Sequence, residues 1–256
     1  MPRLLGHLPD EHPAERPRLA ALLGAAPAAP PASADLSAHV LDVLDQGNQD
    51  CVANAVAQAL RMALSSEGVL SPALCSRRLV YWQARRANAL ETEDKGSRPW
   101  SAYEALRLQG YAVEGACPYD PAAVLEAPPP EVYRHAYDQI GGLVAYRLPD
   151  DGGDEVVSAV QAALGAGHPV TLALEVDQSF LDGSFLGPWT KTGLTIGGHY
   201  VCATGYNDRG VRFVNSWGTG WQEHGFSWLS WATIGNAAVC RDLYAVTALR
   251  PPSDSP

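Results

Sequence analysis

The sequence predicts an α+β fold of two lobes, a helical lobe followed by a lobe of antiparallel strands, with a cleft where the lobes meet. Two observations support this. Helical periodicity dominates the first half of the chain, whereas short β-branched segments separated by Gly, Asn or Asp turns dominate the second half. The 256 residues, 46% apolar and 18% charged, are enough for a sizeable buried core.

The N-terminal part is expected to lie outside the folded body. Residues 20–34 are an Ala/Pro-rich run with little to fix a packed structure, so we interpret residues 1–34 as an arm or linker laid over the surface. The folded domain then covers residues 35–256, with a helical lobe at about 45–145 and a β lobe at about 146–250.

The central element of the helical lobe is predicted at residues 51–64, CVANAVAQALRMAL. Apolar residues occupy most faces of this segment, which indicates a buried helix, and Asn48 or Asp50 is a suitable N-cap. Cys51 therefore falls in the first helical turn. Further helices are predicted within residues 71–88, 98–111 and 154–167.

The strands of the second lobe are short, β-branched and often alternating. A turn at residues 207–210 indicates a hairpin between two of them. The predicted strands are residues 168–176, 199–206, 211–217 and 243–250.

Charge and composition exclude several classes of function. The net charge is −10 and the basic residues are scattered, so we expect no nucleic-acid partner. No apolar stretch approaches the roughly 18 residues of a membrane helix, and the first residues lack the apolar core of a signal peptide, so the expected location is the cytoplasm. The sequence does not indicate an oligomeric state.

The five cysteines do not suggest a metal site. They are widely spread, without a CxxC pair or zinc-ligand spacing, so no metal or other cofactor is expected. Three of them, Cys75, Cys202 and Cys240, are interpreted as small buried apolar residues, and Cys117 is left open. Cys51 is different, because the unpaired N–H groups of a first helical turn favour a thiolate.

A histidine and an asparagine complete a candidate catalytic set. His199 opens an apolar strand directly after Gly197 and Gly198, where small residues leave room for a facing group. Asn215 follows sixteen residues later, near the end of the paired strand and within reach of the imidazole. Its amide oxygen would accept the ring N–H and direct the other ring nitrogen toward the Cys51 sulfur.

Three segments carry a family resemblance: DQGNQDCVANA, GGHYVCATGYND and NSWGTGWQEHGFSWLSW. They resemble, in order and separation, the signature blocks of papain-like cysteine peptidases, over about residues 35–248. The resemblance is to bacterial members without a long prodomain. It implies a papain-like two-lobe fold with a β-barrel-like second lobe, and hydrolysis of extended peptide or protein substrates through a thioester.

The resemblance also assigns roles to individual residues. Cys51 matches the nucleophile, His199 the general base and acid, Asn215 the orienting amide and Gln46 the side-chain donor of the oxyanion hole. The positions matching substrate-binding residues are Gly96 and Ser97, whose backbone would pair with substrate, Gly198 beside the histidine, Trp217, which would shield the His–Asn bond, and Trp221, an aromatic wall on the leaving-group side.

The sequence departs from the family pattern at four points. The Gln46–Cys51 spacing is one residue short, which leaves Gln49 as a less favourable fallback donor. Val52 replaces a usual aromatic residue, and Ser97 replaces a usual glycine. Fifty residues precede Cys51, too few for an independently folded prodomain, so we expect either control by another route or a constitutively active enzyme.

Two alternatives use the same residues differently. The acyl-enzyme could pass its acyl group to an amine, as in a transpeptidase or a processing enzyme, because one thioester serves either acceptor. Alternatively, the chain could be a peptide-binding module whose catalysis is weakened by the shortened Gln46–Cys51 turn. The intact Cys/His/Asn set argues against the binding module, since binding alone needs none of the three.

Overall fold

The computed structural model describes residues 3–11, 16–23, 30–70, 72–137 and 144–248. Its α-helices are α1 (Leu19–Leu23), α2 (Cys51–Ser66), α3 (Arg77–Arg86), α4 (Pro99–Gln109), α5 (Pro130–Tyr137), α6 (Gly153–Gly165), α7 (Gln178–Asp182) and α8 (Trp231–Ile234). Its strands are β1 (Ala34–Asp35), β2 (Val144–Arg147), β3 (Val170–Val176), β4 (Gly197–Asn207), β5 (Gly210–Val214), β6 (Phe226–Leu229) and β7 (Cys240–Thr247).

Helix α2 runs through the middle of the molecule. Its side chains are buried on almost every face, because it packs against α3 and α4 on one side and against β4 and β7 on the other. A helix that is apolar on every face is stable only where all of its faces are buried. The helix therefore places its first residue, Cys51, at the junction of the helical lobe and the sheet.

The second lobe is built on an antiparallel sheet in the order β2-β7-β3-β4-β5-β6, and β1 adds to β4. Helix α6 packs against this sheet, and its buried positions join a core that contains Trp189, Phe180 and Phe213. Strands β4 and β5 are joined by the predicted hairpin, in which Asn207 pairs with Gly210. The predicted α+β fold class is confirmed.

Most of the predicted elements are present, with different ends. The strand predicted at 211–217 ends at Val214, so Asn215 and Trp217 lie just beyond the sheet. The elements that were not predicted are α1, α5, α7, α8, β1, β2 and β6. Parts of the predictions lie outside the described residues. These are residues 1–2, 12–15 and 24–29 of the N-terminal arm, residue 71 of one helical segment, residues 138–143 of the helical lobe, and residues 249–256 of the folded domain, of which 249–250 belong to the last predicted strand. In the described part of the chain, no helix has the length and apolarity needed to cross a membrane.

Candidate active site

Cys51 is the first residue of α2 and is fully buried. Asp50 occupies the N-cap position but makes no side-chain cap; its carboxylate instead accepts a hydrogen bond from the Tyr119 hydroxyl at 2.7 Å. The carbonyl of Asp50 accepts the N–H of Asn54 at 3.1 Å and so starts the helical hydrogen-bond series. Because Asp50 makes no side-chain cap, the N–H groups of the first helical turn at Cys51 receive no cap from it.

The thiol of Cys51 is surrounded by backbone donors from two other parts of the chain. The N–H groups of Gly6 and Tyr200 are directed at its sulfur and favour the thiolate. Burial outweighs them and raises the pKa of Cys51 to about 12, and the neighbouring charge of Asp50 acts in the same direction. The thiol is therefore neutral at physiological pH while the site is closed.

His199 is held by the amide of Asn215. Its Nε2 donates to the Asn215 side-chain oxygen at 2.7 Å, and the same oxygen accepts the N–H of Ser216 at 2.8 Å. The indole of Trp217 stacks on the imidazole with a centroid separation of 4.4 Å. Among the described residues, Nδ1 of His199 has no hydrogen-bond partner, although it is buried.

The structure places the Cys51 thiol beside strand β4, which carries His199. Tyr200, which directs its N–H at the sulfur of Cys51, directly follows His199 in β4. Burial lowers the pKa of His199 to about 4, although the bond to Asn215 opposes this shift. Both shifts favour the neutral forms of the two side chains in the closed state.

The amide of Gln46 has a fixed orientation. Its oxygen accepts from the Ser216 hydroxyl at 2.7 Å, so its nitrogen is turned the other way and donates to the carbonyls of Leu4 at 3.0 Å and Asn48 at 2.9 Å. Leu4 belongs to the segment that fills the cleft. The shorter spacing to Cys51 thus does not prevent the Gln46 nitrogen from reaching a carbonyl in the cleft. The backbone N–H of Gln49 donates to a carboxylate oxygen of Asp94 at 3.2 Å.

Residues 3–11, called the cleft segment below, run between the two lobes across the candidate site. Gly6 accepts the N–H of Ser97 at 2.9 Å from the helical lobe, and His7 donates its N–H to the carbonyl of Gly198 at 3.2 Å in the sheet. The sequence analysis interpreted this region as a surface arm. The structure instead places it over Cys51, which explains the complete burial of the thiol.

The cleft segment has a defined direction and a close fit. His7 and Ser97 form a parallel bridge, and Leu8 donates its N–H to the Ser97 carbonyl at 3.1 Å. A Cβ at Gly6 would lie 1.8 Å from the carbonyl oxygen of Gln49, in the loop before Cys51. Only glycine fits at that point, because such a contact is far inside van der Waals distance.

The residues predicted to bind substrate line the same cleft, except that Trp221 is buried beneath its wall. Gly96, at φ +90, would bring a Cβ within 2.1 Å of the Gly6 oxygen, so its lack of a side chain lets a peptide approach. Trp217 borders the cleft, and the guanidinium of Arg3 lies 5.5 Å from its ring centroid. Trp221 is 1% exposed and packs edge-on beneath Trp217.

Two residues at the site were missed by the sequence analysis. Ser216 orients Gln46 through its hydroxyl, and its position between Asn215 and Trp217 was the only available signal. Asp242 accepts from the imidazole of His7 at 2.9 Å, and nothing in its local sequence marks it. Within the described residues, no group of three or more His, Cys, Asp or Glu side chains is arranged to hold a metal ion.

Comparison with known proteins gives a consistent result. The family model described as papain family cysteine protease matches residues 31–246. An uncharacterized peptidase C1-like protein of Acanthamoeba polyphaga mimivirus is 27% identical over 230 residues, which cover 84% of this chain and 72% of that protein. Papain of Carica papaya is 30% identical over 152 residues, covering 57% of this chain and 39% of the papain sequence.

Solved structures resemble this chain over most of its length. Xylellain, a cysteine protease from Xylella fastidiosa, aligns with a TM-score of 0.83 at 24% identity, covering 96% of both chains. A cysteine protease of Carica candamarcensis in complex with E-64 aligns with a TM-score of 0.61 at 20% identity, covering 85% of this chain and 98% of that one.

Proposed function

Because the chain belongs to the papain family of cysteine proteases, we propose that it is an endopeptidase that cleaves extended peptide segments through a thioester on Cys51. The observation that carries the proposal is the pairing of His199 with Asn215. It leaves Nδ1 with no partner in the described part of the chain, next to Tyr200, whose backbone contacts the Cys51 sulfur. A core histidine is normally satisfied at both nitrogens. An unsatisfied one beside a helix-terminal thiol is suited to proton transfer.

The reaction requires an open cleft. When the cleft segment leaves and water and substrate enter, the burial that holds Cys51 and His199 neutral weakens. Nδ1 of His199 then accepts the thiol proton, and the resulting imidazolium stabilises the thiolate. The first-turn position of Cys51 assists, because the helix dipole favours negative charge there.

Acylation follows from the positions of the donors. The sulfur attacks the substrate carbonyl carbon, and the carbonyl electron pair moves to oxygen, which the Cys51 N–H and the Gln46 amide nitrogen stabilise. As the C–N bond breaks, the imidazolium of His199 gives its proton to the departing amine. Water, deprotonated by His199, then attacks the thioester and releases the acid, and the sulfur regains its proton.

In the structure described here the cleft is closed by the chain itself. The segment occupies the carbonyl-binding amide of Gln46 and the backbone groups of Ser97 and Gly198, which we propose as the substrate contacts. Substrate and cleft segment therefore compete for the same groups. This arrangement favours regulated activity over the constitutive activity that the short N-terminal region left open.

The decisive test replaces the nucleophile in a full-length chain whose cleft is opened by Gly6→Ala. Cys51→Ala is expected to abolish peptide cleavage and labelling by E-64, the epoxide bound by the Carica candamarcensis relative. Cys75→Ala, which removes another buried thiol, is the matched control and is expected to retain both. Cleavage that persists in Cys51→Ala would contradict the proposal.

Product analysis separates hydrolysis from acyl transfer. Mass spectrometry of the peptides should detect only cleaved products, with one ¹⁸O atom incorporated per cut when the reaction is run in H₂¹⁸O. Ligated products would instead support the transpeptidase alternative, which uses the same acyl-enzyme.

A further inference from the structure

The loop at residues 91–97, called the substrate loop below, carries the backbone groups of Ser97 that we propose as a substrate contact. Helix α3 holds this loop through Tyr81, whose hydroxyl accepts the N–H of Gly96 at 3.0 Å. Both residues are buried, and a buried N–H that loses its partner is costly. Tyr81 therefore fixes the residue directly before Ser97.

Asp94 extends this contact to the loop at residues 46–50, called the nucleophile loop below. Its Oδ1 atom accepts the Tyr81 hydroxyl at 2.7 Å and the backbone N–H of Gln49 at 3.2 Å. Because the hydroxyl donates its proton to Asp94, its oxygen can accept from the substrate loop. Three consecutive hydrogen bonds therefore join the two loops.

The two loops meet the cleft segment at the same residue, Gly6. A Cβ at Gly6 would lie 1.8 Å from the Gln49 carbonyl oxygen, and a Cβ at Gly96 would lie 2.1 Å from the Gly6 oxygen. Gly6 also directs its N–H at the Cys51 sulfur. The space for a peptide backbone beside the sulfur therefore depends on how far Gln49 lies from Gly96, a separation that the hydrogen bonds through Asp94 fix.

The rest of the substrate loop is anchored to the same helix by a buried cation. The guanidinium of Arg85 is fully buried and donates to the carbonyl oxygens of Glu93 at 2.7 Å and Glu91 at 3.4 Å. Its central carbon lies 4.1 Å from the ring centroid of Tyr81, an arrangement that guanidinium groups favour. Arg85 thus restrains both the aromatic ring and the start of the loop.

The nucleophile loop has a second support that does not involve Asp94. The Tyr119 hydroxyl accepts the N–H of Gly47 at 2.7 Å and donates to the carboxylate of Asp50 at 2.7 Å. Loss of the Asp94 contact should therefore leave Cys51 in place and change mainly the position of the substrate loop.

We propose that Asp94 and Tyr81 are positioning residues, which hold the substrate loop at the distance from Cys51 that a bound peptide requires. The inference rests on the proposed peptidase function, because it assumes that substrate pairs with the backbone of Ser97. Both side chains act through the backbone of the two loops and not on the reacting atoms. Their loss should impair the placement of a peptide more than the reactivity of the thiol.

The first test compares two rates in the Gly6→Ala background, kcat/KM for a peptide pool and alkylation of Cys51 by iodoacetamide, which is too small to need the substrate loop. Both rates scale with the open fraction of the cleft, so their ratio reports on how the peptide is placed. Asp94→Ala and Tyr81→Phe should each lower this ratio roughly tenfold or more. Asp94→Asn should restore it, because the asparagine oxygen accepts the same two hydrogen bonds.

Tyr206→Phe is the matched control for loss of a buried hydroxyl. The Tyr206 hydroxyl donates to the carbonyl of Pro31 at 2.6 Å, outside both loops, so the ratio should be the same as in the background. An unchanged ratio in Asp94→Ala would overturn the proposal, and so would a ratio that Asp94→Asn fails to restore.

The second measurement does not depend on catalysis. Amide hydrogen exchange at Ser97, whose N–H donates to Gly6 at 2.9 Å, is followed by NMR in the full-length chain. Exchange should be roughly tenfold faster or more in Asp94→Ala, and Asp94→Asn should restore the original rate. Unchanged exchange at Ser97 in Asp94→Ala would refute the positioning role. Faster exchange together with no peptide cleavage in any variant would refute only the peptidase function.

Discussion

Gly6→Ala is the most informative single substitution, because it changes the cleft segment and replaces none of the proposed catalytic side chains. The added Cβ would lie 1.8 Å from the Gln49 oxygen, and the contact atoms are all backbone. Real Cβ contacts stay at about 3.0 Å or more, so the segment and the facing Gln49 backbone must separate by roughly 1 Å or more at this point.

The size of the effect follows from the contacts that such a movement breaks. Three backbone hydrogen bonds hold the segment next to Gly6: Ser97 N–H to Gly6, Leu8 N–H to Ser97 and His7 N–H to Gly198. At about 1 kcal/mol each, their loss shifts the balance between closed and open cleft by about 3 kcal/mol. This corresponds to an increase of roughly 100-fold in the open fraction.

The assay is the second-order rate of labelling by E-64, measured together with kcat/KM for a peptide pool. Both should rise by roughly 100-fold in Gly6→Ala, up to the limit at which the open form predominates. Gly115→Ala is the matched control, because a Cβ at Gly115 meets nothing within 4 Å. If Gly6→Ala folds normally and labels at the wild-type rate, the argument that the segment closes the cleft is wrong.

Three further predictions concern the site and its support. In the Gly6→Ala background, Gln46→Ala should lower kcat by roughly 100–1,000-fold through loss of an oxyanion donor, and an unchanged kcat would remove Gln46 from that role. Burial raises the pKa of Asp50 from 3.8 to about 6, so folding favours its protonated form. Stability should fall by about 3 kcal/mol as the pH rises from 4 to above 6, and urea unfolding of Asp50→Asn should lack this part of the decline; equal pH slopes would contradict it. Asp177→Ala should cost about 2–3 kcal/mol in the same assay, because the carboxylate accepts the N–H groups of Phe180, Thr192 and Gly193; a loss below about 1 kcal/mol would contradict this account.

The helix start at Cys51 and the His199–Asn215 pair of the candidate site could each be predicted from sequence, because each depends on a local pattern. The helix that positions Cys51 is encoded by a continuous apolar pattern, and the hairpin at residues 207–210 brings Asn215 back toward His199. The fold class followed from the same periodicities. Peptide cleavage by these residues remains a proposal that the experiments above address.

The position of the cleft segment could not be inferred in this way. Residues 3–11 have no periodicity, and their burial depends on groups far along the chain, such as Ser97 and Gly198. Asp242 is similar, because its sequence context reads as an ordinary strand and only the pairing of β3 with β7 reveals a bulge at this point. Contacts between distant segments depend on the assembled shape, which a local pattern does not contain.

The neighbouring residues Asn215 and Ser216 have a consequence for how the enzyme can be altered. One orients the imidazole of His199 and the other orients the amide of Gln46, which comes from the opposite lobe. Ser216 also accepts the backbone N–H of Gln46 at 2.8 Å. If His199 and Gln46 act as proposed, proton transfer and oxyanion stabilisation both depend on this dipeptide, so a relative movement of the lobes would change both together.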